Sequence, residues 1–200
     1  VPAPQPIVAG MAAADAGLDV SLIDVDGQVL QVAVKKGPKD RPPILLFNGI
    51  GANWKMAKPF LDALQRTGAI IFDVPGVGGS PAPLLPYRPS TIARLSRKLI
   101  GKLGYDEVHV AGVSWGGGLA QQFAHQYPDA CRKLVLAATS VGSIMVPGRP
   151  EVLWKMATPR RYFDKAFMRT VAPEIYGGDL RLDPEAAARH TTSNVSKLGY

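Results

Sequence analysis

The residues best suited to chemistry in this sequence are Gly112-Val113-Ser114-Trp115-Gly116, a G-x-S-x-G pattern. The bare pattern is common. Here it joins the apolar run VHVAGV to GGLAQQFAHQY, so the serine is expected at a sharp turn from a buried strand into a helix. Such a turn strains the serine backbone, and the flanking glycines let neighbouring backbone come close. The hydroxyl is then presented at the carboxyl edge of a sheet with a helix N-terminus behind it, which favours a developing anion. That suits the nucleophile of an acyl transfer. Two backbone N–H groups are expected as oxyanion donors: that of Trp115, next to the nucleophile, and that of Ile50 in Asn48-Gly49-Ile50-Gly51. An ordinary glycine turn is the other reading of 48–51.

A serine hydroxyl is a weak nucleophile without a base. Of the three histidines, His125 lies eleven residues along the helix that follows Ser114, about 16 Å away at 1.5 Å per residue. His109 stands five residues back along the strand, again about 16 Å off and towards the opposite sheet edge. Neither reaches Ser114. His190 follows an expected helix over 183–189, and no strand-end loop presents it; it reads as a surface residue, with the role of base as the other possibility. Asp73 ends a strand, as a turn or structural hydrogen-bond residue or as one bordering the site.

Other patterns carry less. Gly76 to Pro81 lacks the last glycine of a dinucleotide fingerprint, and Gly118 stands where a phosphate loop needs lysine. Cys131 is the sole cysteine, which excludes an internal disulfide and a multi-cysteine zinc site. It reads as an inert thiol, and the low cysteine use suits a cytoplasmic protein. No metal or cofactor is expected. The net charge of +7 is spread singly or in pairs. Arg94, Arg97, Lys98 and Lys102 share a helical face, read as a solvated face or a contact with an acidic surface. Without a zinc-finger or RNA-binding signature, nucleic acid is not an expected partner. Asn194-Val195-Ser196 matches a glycosylation sequon but reads as accidental.

The elements that must position these residues alternate. Two hundred residues suit roughly one domain with a core of its own, and 46% apolar with 20% charged residues is globular composition. Leu18–Asp24 and Gln28–Lys35 flank Asp26-Gly27, a hairpin signal. Strands are expected at Ile44–Phe47, Ala69–Val74, Glu107–Val113 and Lys133–Ala138. Helices are expected at Trp54–Gln65, at Thr91–Leu103 with Ser90 as N-cap and Gly104 as stop, and at Trp115–Tyr127. This predicts an α/β fold, a mostly parallel sheet with helices on both faces. No run approaches 18 apolar residues, so no transmembrane helix is expected. Residues 1–17 read as a Pro- and Ala-rich leader, 18–140 as the core and 141–200 as a cap-like insertion of irregular helical character.

The segments LLFNGIGAN (45–53), FDVPGVGGS (72–80), GVSWGGGLAQQFAHQYP (112–128) and KLVLAATSVGSIMVPGRPEVLWKMATPRRY (133–162) resemble the α/β-hydrolase superfamily. More closely, they resemble intracellular depolymerases of medium-chain-length poly(3-hydroxyalkanoate). The resemblance spans roughly 18–200. It implies hydrolysis of a storage polyester to 3-hydroxy fatty acids, with Ser114 as nucleophile, a cap over the site from Ile144 to Phe167, and association with a granule surface. Polyester synthases of the same fold carry cysteine where Ser114 stands, so the serine argues for hydrolysis. The family's acid and histidine lie on loops after two later strands, so the chain reads as the N-terminal two-thirds of an enzyme, inactive alone, with the Lys133–Ala138 strand left as a bare edge. Two other functions stay open: a small-ester esterase or lactonase, and a non-catalytic polyester-binding protein.

Overall fold

A computed structural model describes residues 17–140, 148–158, 160 and 164–177. The chain divides into two compact units, Val1–Ser140 and Val141–Tyr200.

The first unit is built on a six-stranded sheet. Its strands are β1 (Leu18–Val25), β2 (Gln28–Lys35), β3 (Ile44–Phe47), β4 (Ala69–Phe72), β5 (Val108–Val113) and β6 (Cys131–Ala137), in the order β1-β2-β4-β3-β5-β6. β1 and β2 form an antiparallel hairpin whose two turn residues, Asp26 at φ 55° and Gly27 at φ 79°, carry the positive dihedrals of a tight hairpin turn. β2 also runs antiparallel to β4. From β4 through β3 and β5 to β6 every pairing is parallel.

Alternation along the strands builds two cores, one per sheet face. Leu45 and Phe47 join Ile70 and Phe72 under α2 (Pro89–Lys102) and α3 (Trp115–Gln126), meeting Ile92, Leu99, Leu119 and Phe123. Leu46, Ala69 and Ile71 face the other way, onto Trp54, Ala57 and Leu61 of a 3-10 turn (Trp54–Ala57) and α1 (Lys58–Ala63). The expected α/β architecture with helices on both faces is what forms.

Three local expectations change. The single helix read over Trp54–Gln65 is a 3-10 turn followed by a short helix that ends at Ala63. Pro59, with no N–H to continue the ladder, starts the second piece. Ser90 is not the N-cap of α2: Arg88 holds that place without a side-chain cap bond, and Pro89 sets the first turn. β6 begins earlier, at Cys131. Gly104 does stop α2, in a left-handed conformation at φ 84°.

Two of the basic side chains on α2 have a structural partner. Arg94 bonds the Asp26 carboxylate at 3.0 Å and Lys98 reaches the same oxygen, tying α2 to the hairpin turn. The Lys98 hydrogen bond, with the charges of Lys98, Arg94 and Lys102, holds the Asp26 carboxyl below its usual range.

β6 lies at the sheet edge, paired to β5 alone among the described residues. Leu134, Val135 and Leu136 are 40%, 59% and 37% exposed.

In the second unit, α4 (Pro150–Ala157) contacts α5 (Lys165–Tyr176). The Asp164 carboxylate caps α5 by accepting the Phe167 N–H, and Met168, Val171 and Ala172 form a small core. Residues 1–16 of the expected leader, the expected helix over 183–189, His190 and the sequon at Asn194 lie outside the described residues. Among the described residues no helix is long and apolar enough to cross a membrane.

Candidate active site

Ser114 sits between the last residue of β5 and the first of α3, with φ 55° and ψ −124°. A positive φ on a residue with a Cβ costs energy and persists only where the surroundings impose it. Here the surroundings are specific. The Ser114 N–H donates to the Ala137 carbonyl at 3.0 Å, and its own carbonyl accepts the Gly117 N–H at 2.9 Å. The turn is therefore bonded to β6 on one side and to the first turn of α3 on the other.

The glycines around it are there because nothing larger fits. A Cβ on Gly112 would stand 2.5 Å from the Gly116 carbonyl oxygen and 2.7 Å from the Ala120 Cβ. One on Gly116 would meet the Phe47 and Asn48 carbonyl oxygens at 2.3 Å each, and one on Gly117 would meet Thr139 Oγ1 at 2.3 Å. These contacts seat α3 against the carboxyl ends of β3, β5 and β6.

That seating brings the 48–51 loop to the serine. A Cβ on Gly49 would lie 3.9 Å from the Ser114 Cβ. The Asn48 side chain shapes this loop from both ends: its Oδ1 accepts the Gly49 N–H at 3.0 Å, and its Nδ2 donates to the Asn53 carbonyl at 3.0 Å. With the Gly49 N–H so engaged, the Ile50 N–H has no partner among the described residues. Trp115 is the first residue of α3, where an N–H has no acceptor within the helix. The sequence expectations for Ser114, Trp115, Ile50, Asn48, Gly49, Gly112 and Gly116 thus fall on one corner of the sheet.

The histidines do not. His109 sits at the amino end of β5, paired with Ile44 and Lys133. It lines a cleft of about 320 Å³ with Asp40, Arg41, Pro42, Thr67, Arg132 and Lys133, at the sheet edge away from Ser114. Burial, then the charges of Lys133 and Arg132, push its imidazole below the usual range. His125 lies in the last turn of α3. The Ser114 hydroxyl has no hydrogen-bond partner among the described residues. Cys131 is half-buried, and burial raises its thiol. No cluster of His, Cys, Asp or Glu fit to hold a metal occurs among the described residues.

Asp73 is the residue whose part was least determined by sequence. It is fully buried just past β4, where Oδ1 accepts the Trp54 N–H at 2.7 Å and Oδ2 the Gly79 N–H at 3.0 Å. Ser80 Oγ donates to the Asp73 carbonyl at 2.6 Å and accepts the Gln31 N–H at 2.9 Å. Gly78, at φ 56°, passes so close that a Cβ would meet the carboxylate at 2.0 Å. The visible signal was Asp-Val-Pro-Gly-Val-Gly-Gly-Ser, an acid at a strand end followed by glycines that let backbone donors close on it.

The comparisons with known proteins agree with the fold. The family model for the alpha/beta hydrolase fold matches residues 42–181. The chain belongs to the α/β-hydrolase family. Among curated relatives of this α/β-hydrolase is a poly(3-hydroxyalkanoate) depolymerase of Ectopseudomonas oleovorans, 51% identical over 89% of this chain and 64% of that protein. A soluble epoxide hydrolase of a Corynebacterium species is 32% identical over 53% of this chain and 35% of that protein. The chain thus spans less than two thirds of the length of these relatives. Among solved structures, a carboxylesterase of Bacillus subtilis superposes with a TM-score of 0.69 at 19% identity, over 91% of this chain and 62% of that one. An enol-lactonase of Burkholderia xenovorans gives 0.69 at 24% identity, over 90% of this chain and 70% of that one. At those identities the likeness speaks for the fold alone, since one fold hosts many reactions.

Proposed function

We propose that this α/β-hydrolase chain carries the nucleophile half of a serine ester hydrolase that cleaves intracellular poly(3-hydroxyalkanoate) to 3-hydroxy fatty acids. The observation that carries the reading is Ser114 at φ 55° between β5 and α3, with the 48–51 loop packed beside it. The 51% identity to a poly(3-hydroxyalkanoate) depolymerase supports the substrate class.

In this reading Ser114 Oγ attacks the ester carbonyl carbon and its proton passes to a base. The carbonyl oxygen becomes an oxyanion held by the N–H groups of Trp115 and Ile50. Collapse expels the alcohol end of the polymer, whose oxygen takes the proton back from the base, and leaves an acyl-enzyme. Water then attacks that ester, releasing the carboxylic acid and restoring the serine. The triad acid and base are assigned, by the resemblance, to loops after two later strands that these 200 residues do not contain, residues 141–200 to a cap-like insertion, and the protein to the cytoplasm at the granule surface. The 200-residue chain alone is then expected to turn over no ester.

The test uses the protein at the length of its depolymerase relative. Wild type is expected to release 3-hydroxy acids from medium-chain polyester granules. Ser114→Ala leaves only the residual effect of binding and the oxyanion hole, a loss of several orders of magnitude. Near-normal turnover by the alanine variant overturns the assignment of Ser114. Turnover of short soluble esters with none of granules places the protein among small-ester esterases instead, and granule binding with no serine-dependent turnover makes it a binding protein.

A further inference from the structure

The segment joining β4 to α2 contains Pro81-Ala82-Pro83-Leu84-Leu85-Pro86-Tyr87-Arg88. Leu84 is fully exposed and Leu85 is 77% exposed. Two adjacent leucines in water would normally fold back onto the core. Here the chain prevents it. At one end Gly76 N–H donates to the Ser80 and Pro81 carbonyls, and Gln28 Nε2 donates to the Pro81 carbonyl at 3.1 Å. At the other end Tyr87 packs against the main core, and Arg88, extended at φ −96° and ψ 159°, leads into Pro89. Between these anchors Pro81, Pro83 and Pro86 fix their own φ and keep the residues before them extended. The leucines are held out by a stiff support.

The place is as informative as the exposure. The loop leaves the carboxyl end of β4, and β4, β3 and β5 are neighbours in that order. The carboxyl ends of the other two carry Ile50, 49% exposed, and Val113, 38% exposed, beside Ser114. Two strand spacings separate β4 from β5, about 10 Å. The leucine loop and the candidate nucleophile therefore both leave the carboxyl edge of the sheet.

We propose that Leu84 and Leu85 form a docking element that inserts into the surface of a solid aliphatic polyester and holds it against the Ser114 edge. This rests on the reading of the chain as a polyester hydrolase. A polymer particle offers no single molecule to enclose, so recognition requires apolar side chains that project before contact. A pre-ordered loop meets that need without a further loss of loop entropy on binding. The 3-hydroxyalkanoate side chains supply the apolar medium. Each leucine transferred from water into it is worth about tenfold or more in affinity.

The test is co-sedimentation of the protein at the length of its depolymerase relative with poly(3-hydroxyoctanoate) latex, comparing wild type with the double variant Leu84→Ser, Leu85→Ser. Circular dichroism is expected to be the same for both, since neither leucine supports the core. Wild type is expected to pellet with the latex, and the double variant to bind at least about tenfold more weakly. Ser114→Ala is expected to bind like wild type, which separates docking from chemistry: loss of the hydrolase reading shows in turnover, loss of this proposal in binding. Equal binding by the double variant, or no latex binding by wild type, overturns it. So does a leucine-dependent dimer, or leucine-dependent binding to phosphatidylcholine vesicles, in place of binding to latex.

Discussion

The buried carboxylate of Asp73 accepts the backbone N–H of Trp54 at 2.7 Å, joining the end of β4 to the segment that follows the 48–51 loop. Its other oxygen takes the Gly79 N–H, so one side chain fixes two loops on the Ser114 edge. Burial pushes this carboxyl up to about 6 from the usual 3.8, against the pull of the Gly79 and Trp54 hydrogen bonds. The folded state therefore holds the proton more tightly than the unfolded chain, and stability from this group falls as pH rises from about 4 to about 6, then levels off.

Asp73→Asn removes that titration. The stability difference, wild type minus variant, is expected to decline across the same window in denaturant melts taken at stepped pH. At pH 7.5 the variant is expected to be less stable by about 1–3 kcal/mol, because an amide NH₂ must face a buried backbone N–H it cannot accept. A difference that grows with pH across the window would contradict the raised carboxyl.

Gly116 and Gly118 differ by two positions in α3 and make opposite predictions. Alanine at Gly116 drives a methyl to 2.3 Å from two backbone oxygens and is expected to destabilise by about 1–3 kcal/mol. Alanine at Gly118, where nothing lies within 4 Å, is expected to stabilise by up to about 1 kcal/mol through helix propensity. Thermal unfolding of the two single variants checks both.

Ile50→Pro deletes the N–H proposed as the second oxyanion donor. In the protein at its relative's length, kcat is expected to fall by about 10²–10³, or about 2.7–4 kcal/mol. An unchanged kcat in a folded variant would move the donor to another residue.

The exposed edge of β6 predicts association. Leu134, Val135 and Leu136 give it high strand propensity with Lys133 as its guard charge. The 200-residue chain is expected to self-associate at micromolar concentration by light scattering. Val135→Lys, at the most exposed of the three, is expected to shift it towards monomer. A wild-type chain that stays monodisperse contradicts this.

The sheet and its helices were legible in the sequence because buried parallel strands read as unbroken apolar runs, as Ile44–Phe47 and Ala69–Phe72 show. The strained turn at Ser114 was legible because a strand, a glycine-flanked serine and a helix follow one another directly. What escaped was set by contacts between distant segments. The bonds from Trp54 and Gly79 to Asp73 depend on chain passing over a buried acid, and the pairing of Asp26 with Arg94 spans two elements. The break between Trp54–Ala57 and Lys58–Ala63 was carried by Pro59 but masked by a helical apolar period across it.

The strand order also governs how the chain assembles as it is made. β3 lies between β4 and β5, both of which come later in sequence, while the β1–β2 hairpin joins the sheet through β4. A nascent chain that has reached Phe47 holds its most apolar strand with neither neighbour yet synthesised. At about 5–20 residues per second, the ribosome needs several seconds to complete β5 at Val113. During that interval the Ile-Leu-Leu-Phe segment is open to chaperones or to another nascent chain. Synthesis rate over roughly residues 48–113 is therefore a lever on yield that leaves the finished fold unchanged.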